Sequence, residues 1–94
     1  MTVHHFQPTT YYNSFGSHPP ALHIADGDTV VTTTIDADAF NAQGQQVAGR
    51  PNPETGPFYV DGAEPGDTLQ VHLDRLVPNR ELGFCFRLFD RIVV

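Results

Sequence analysis

Five histidines (His4, His5, His18, His23 and His72) and a series of carboxylates (Asp26, Asp28, Asp36 and Asp38) are the side chains here that could hold a metal ion. Imidazole nitrogens and carboxylate oxygens both bind zinc, but recognised zinc motifs set their ligands at characteristic spacings, and no pair here has one. His4 and His5 are adjacent, so in a strand they point to opposite faces and only one reaches a given ion. Each histidine taken alone reads as a surface or a satisfied core residue. Asp36 is more informative. It follows residues 29–35, Thr-Val-Val-Thr-Thr-Thr-Ile, and precedes a polar loop. The end of a rigid element is a common place for a ligand or catalytic group. It equally suits an aspartate that caps loop N–H groups, and the residues leave both roles open. Cys85 is the single cysteine, so it forms no internal disulfide; it reads as a buried thiol or as a nucleophile. The chain has no Gly-x-Ser-x-Gly, no glycine-rich phosphate loop and no Cys-x-x-Cys, which leaves serine-hydrolase and nucleotide-binding chemistry without support.

The elements that must position these groups are short. Eight glycines and eight prolines in 94 residues argue against long helices and for strands joined by turns. Residues 2–6, 21–24 and 58–60 read as short strands, and the β-branched 29–35 as the strongest. Residues 36–46 lose apolar periodicity and read as a polar loop with room for one helical turn. Residues 68–76 alternate strictly, which predicts a strand with Leu69, Val71 and Leu73 on a core face and Gln70, His72 and Asp74 on a wetter one. Residues 84–94 read as a last strand. The expected fold is all-β, one domain over residues 1–94, a small barrel or sandwich of about six to eight short strands.

Two Gly-Asp-Thr triplets, Gly27-Asp28-Thr29 and Gly66-Asp67-Thr68, each open an expected strand. Common turn chemistry accounts for the echo more economically than a duplicated half-barrel does. Between them lies the most constrained stretch. Residues 52–57 hold two prolines and a glycine, and Glu64-Pro65-Gly66-Asp67 is a tight turn. A loop so restricted either makes a structural turn or holds something in place.

Charge narrows the partners. The net charge is −6 with only five cationic side chains, so phosphate backbones and anionic lipid surfaces would be repelled. The N-terminus lacks the basic and apolar regions of a signal peptide, and no apolar run is long enough to span a bilayer. A soluble cytoplasmic protein is expected.

Three runs resemble the N-terminal part of the acetamidase/formamidase family. They are Ser17-His18-Pro19-Pro20-Ala21-Leu22-His23-Ile24-Ala25-Asp26-Gly27-Asp28-Thr29-Val30-Val31, then Thr34-Ile35-Asp36-Ala37, then Asn52-Pro53-Glu54-Thr55-Gly56-Pro57 through Gly62-Ala63-Glu64-Pro65-Gly66-Asp67-Thr68-Leu69. The third run is the most specific, and the resemblance covers about residues 3–83. It implies a β-rich, oligomeric enzyme that hydrolyses formamide or acetamide to carboxylate and ammonia with a bound divalent metal, zinc being the candidate. It marks Asp36 as metal ligand or catalytic carboxylate, with Asn52, Thr55 and Gly56 shaping the pocket wall. Enzymes of that family are several times longer, so the chain is expected to be a truncated domain without a complete active site. A metal hydrolase needs about three protein ligands and an activated water. The alternative is a non-catalytic β-domain serving binding or oligomer assembly. Self-association is expected on either reading, with residues 84–94 taking part, because a small cut domain leaves strand edges uncovered.

Overall fold

The computed structural model describes residues 1–81 of the chain. Among them there is no helix; the regular structure is six short strands, so the fold is all-β as expected. The strands are β1 (Val3–His5), β2 (Tyr11–Tyr12), β3 (Leu22–Ile24), β4 (Thr29–Val31), β5 (Glu54–Thr55) and β6 (Phe58–Val60). They form three two-stranded sheets: β1 with β4 in parallel, β2 with β5 antiparallel, and β3 with β6 in parallel. The described strands do not close into a barrel.

Each parallel ladder is extended by two bonds beyond its paired residues. Thr29 N–H donates to Thr2 O at 2.9 Å and Phe6 N–H to Val31 O at 2.9 Å, at the two ends of β1–β4. Ala21 N–H donates to Pro57 O and Asp61 N–H to Ile24 O, both at 2.8 Å, at the two ends of β3–β6. The two parallel pairs meet where Phe6 packs edge-on against Phe58, centroids 5.3 Å apart and rings at 85°. This is the favoured quadrupole geometry. Few of the described residues are buried: Ala39 is fully enclosed, and Pro8, Asp38, Pro53 and Gly56 are nearly so.

The long β-branched strand is cut short. Only Thr29–Val31 is paired, and residues 32–35 leave the ladder. The cause lies in the partner: β1 ends at His5, and Pro8 beyond it has no N–H to continue pairing. Thr32 Oγ1 instead donates to Phe6 O at 2.9 Å. The strand expected over 68–76 is also not formed. Its would-be core face lies in solvent, with Leu69 at 68%, Val71 at 70% and Leu73 at 71% exposure. Alternation makes a strand two-faced, but without a neighbour to pair with it leaves both faces wet. Residues 36–46 contain two turns and one antiparallel bridge, Phe40 to Gln46, in place of a helical turn. The strand expected over 84–94, with Cys85, lies outside the described residues.

The Gly-Asp-Thr echo is one turn used twice. In residues 25–28, Asp28 Oδ2 accepts from Ala25 N–H at 2.9 Å, and Asp28 N–H donates to Ala25 O at 3.0 Å. In residues 64–67, Asp67 Oδ2 accepts from Glu64 N–H at 2.9 Å, and Asp67 N–H donates to Glu64 O at 3.0 Å. Gly27 and Gly66 have φ of +86° and +95°, which glycine adopts without steric cost. The first turn leads into β4; among the described residues no strand follows the second.

Asp28 does more than close its turn. Its Oδ2 lies 2.9 Å from His4 Nε2, and its Oδ1 accepts from Thr2 N–H at 2.9 Å, tying the N-terminus to β4. The His4 contact, then the Ala25 and Thr2 N–H groups, hold its carboxyl at about 2. An unfolded aspartate titrates near 4. Between those values the unfolded chain binds more protons, so stability rises with pH there and is lost as pH falls from about 4 to about 2. A melting-temperature series from pH 2 to 5 is expected to show this acid arm, and Asp28→Asn to flatten it; an arm of unchanged steepness in the variant would contradict the assignment.

Candidate functional site

Asp36 sits in a loop closed on itself. Its own N–H donates to Phe40 O at 3.1 Å, and Ala39 N–H donates to Asp36 O at 2.9 Å. Ala39 adopts a φ of +71°, uncommon for a residue with a Cβ, and it is the fully enclosed residue of the loop. Oδ1 of Asp36 accepts from Asp38 N–H at 3.0 Å and Phe40 N–H at 2.9 Å. Oδ2 accepts from Arg80 Nη2 at 2.8 Å. The side chains of Asp36 and Arg80 are 17% and 20% exposed, so this pair is mostly withdrawn from water. Burial is the largest single influence on the Asp36 carboxyl and works against its charge. The Phe40 N–H, the Arg80 guanidinium and the Asp38 N–H together outweigh it and hold the pKa below the usual range.

The pair lines a cleft of about 440 Å³, together with Thr34, Ile35, Phe40, Pro78, Asn79 and Glu81. The lining mixes polar and charged side chains with apolar ones, a composition that can orient a small polar ligand. Arg80 Nη1 also donates to Asn41 O at 3.4 Å, a second hold on the guanidinium.

The other site residues picked out from the sequence lie behind this loop. Asn52 N–H donates to Ala37 O at 2.8 Å, with Asn52 at a φ of +51°. Thr55 Oγ1 donates to Thr33 O at 3.2 Å. Gly56 is buried at a φ of +122°. An ion pair between Arg50 and Asp38 at 3.0 Å joins the same two stretches. Asn52 and Thr55 thus brace residues 33–37 by direct bonds, while the cleft itself is lined by residues of 34–40 and 78–81.

Arg80 is the site residue the sequence did not mark. Pro78-Asn79-Arg80 has the composition of a turn, and nothing in it marks a site residue. One signal pointed to it: where acidic residues number 11 and cations five, each cation is expected to find a carboxylate.

The histidines are dispersed. His4 meets Asp28, His23 Nδ1 lies 3.1 Å from Asp61, and His72 Nδ1 lies 2.6 Å from Asp74. His18 stacks on Tyr12 with centroids 3.9 Å apart, its Nε2 3.3 Å from Ser14 Oγ. Among the described residues no three of His, Cys, Asp or Glu converge to hold a metal. Asp36 brings one carboxylate, already accepting three hydrogen bonds, so these residues by themselves do not fit the divalent ion that the resemblance implies. No helix among them is long and apolar enough to cross a membrane. Comparison with protein-family models, with curated proteins and with solved structures gives no match.

Proposed function

We propose that this chain is an amidase-type β-domain of the cytoplasm that binds short linear amides such as formamide or acetamide without itself forming a complete catalytic centre. The observation that carries this is the Asp36–Arg80 pair lining a cleft beside Ile35, Phe40 and Pro78. A primary amide has one carbonyl acceptor and two N–H donors. The guanidinium can donate to that carbonyl, and the carboxylate can accept from the amide N–H. Ile35, Phe40 and Pro78 suit a hydrogen or methyl on the acyl carbon. The resemblance around Asp36 and over residues 52–69 supports the same substrate class. Hydrolysis with a divalent metal, zinc as candidate, would require ligands beyond Asp36, so no catalytic step is assigned to the described residues.

Titration of the isotopically labelled chain with millimolar acetamide is expected to move the backbone resonances of Ile35, Asp36, Phe40 and Arg80 together, and Arg80→Met to remove the response. With zinc present, ammonia release from formamide is expected to stay at the uncatalysed rate. Resonances of these four residues that do not move would refute the amide reading. Sustained ammonia release would refute the incompleteness of the site.

A second reading, a binding or assembly module, is favoured by a separate observation: the row of exposed apolar side chains at Leu69, Val71, Leu73, Leu76 and Val77.

A further inference from the structure

That row belongs to a segment with unused bonding capacity. Among the described residues, the backbone of residues 68–77 makes no hydrogen bond. Its odd-numbered side chains run Asp67, Leu69, Val71, Leu73, Arg75: an apolar centre with an acid at one end and a base at the other. All five are exposed. Arg75 forms no ion pair among the described residues.

This order is complementary to itself when reversed. With two copies antiparallel and a two-fold axis at Val71, Leu69 faces Leu73 twice, and Asp67 faces Arg75 twice. On the opposite face Gln70 meets His72 and Thr68 meets Asp74. No like charges stand opposite one another, and cross-strand pairs of these kinds stabilise antiparallel sheets. Pairing would also satisfy the open backbone groups, as in strand addition to a free sheet edge. Beside Leu69 the apolar surface continues into a groove of about 240 Å³ lined by Phe58, Val60 and Ala63, so the contact reaches the β3–β6 sheet.

We infer that residues 67–75 are a homodimerisation strand, whose partner is the same segment of a second copy, antiparallel and centred on Val71. The interface is isologous, which is the usual form of a two-fold contact. It stands whether or not the cleft takes an amide.

Sedimentation velocity on the full chain across a concentration series tests it. A dimer is expected. Arg75→Asp, which sets Asp67 against an aspartate at both ends, is expected to weaken it about tenfold, and Asp67→Arg to do the same. The double exchange Asp67→Arg with Arg75→Asp is expected to restore it. Asp67 also closes the 64–67 turn, so Arg75→Asp, at a residue with no ion pair of its own, is the cleaner single variant. Register is read by oxidation: in a Cys85→Ser background, Val71→Cys is expected to form an interchain disulfide, because opposed residues lie within bridging distance, and Thr68→Cys is not. A monomer at every concentration overturns the inference, whether the row is then bare or covered by residues 82–94 of the same chain. A dimer indifferent to Arg75→Asp and uncrosslinked at Val71→Cys overturns it equally.

Discussion

Asp36→Ala is expected to lower the melting temperature by about 10–20 °C. The substitution removes the acceptor of two backbone N–H groups and of the Arg80 guanidinium, all at 3.0 Å or less. Hydrogen bonds to a charged group contribute about 1.5–3 kcal/mol in favourable cases. Partial exposure of the pair reduces this, and a loss of about 2–3 kcal/mol in total is expected. For a chain of this size each kcal/mol moves the midpoint by about 4–8 °C. Asp36→Asn separates the contributions. Its amide oxygen still accepts from Asp38 and Phe40, and only the charge opposite Arg80 is lost, so the cost falls to about 1 kcal/mol. Arg80→Met should match it, and the two together should cost less than their sum, because neither charge is then left without its partner. Thermal unfolding followed by circular dichroism measures all four variants. A melting temperature for Asp36→Ala within 2 °C of the parent, on the order of the scatter of such measurements, would show that this loop does not depend on its carboxylate.

Gly56→Ala is expected to cost about 1–3 kcal/mol. At a φ of +122° the backbone is in a region that residues with a side chain rarely adopt. An added Cβ would also stand 3.4 Å from Phe58 N and 3.8 Å from its ring. Phe58 is held by β6 and by Phe6, so it has little freedom to retreat. Thr55→Val is the comparison next door: it removes only the Oγ1 bond to Thr33, worth about 1 kcal/mol. Equal denaturation midpoints for Gly56→Ala and the parent would contradict the strain argument.

Local chemistry in the sequence carried four of the six strands, and partner choice decided the rest. β1, β3, β4 and β6 lie within stretches whose β-branched or aromatic content marks them. β2 and β5 are two residues each, Tyr11–Tyr12 and Glu54–Thr55, and exist because they face one another; nothing in either dipeptide announces the other. The same dependence shortened 29–35 and left 68–76 unpaired: propensity licenses an extended chain, but a ladder needs a neighbour. At the site, Asp36 was marked by its place after the β-branched run, and its capping of the loop is the plainer of its two roles. Arg80 was hidden because it approaches from far along the chain, and pairing over such a separation leaves no periodic trace. The Ala25–Asp28 and Glu64–Asp67 turns were legible in full because all of their chemistry lies within four residues.

The order of the three ladders has a kinetic meaning. β1 meets β4, β2 meets β5 and β3 meets β6, so each strand pairs with the third one after it. A cut in the turn of residues 25–28 would leave three strands on each piece and no paired strands on either. Two-stranded ladders this short are marginal by themselves. Apart from the single Phe40–Gln46 bridge, none of the described ladders joins strands that are neighbours in sequence. Three large loops must close, each at its own entropic cost, before any one ladder is secure. Among the described residues, then, no ladder is contained in either half, and the two halves, separated, would each be a template awaiting the other.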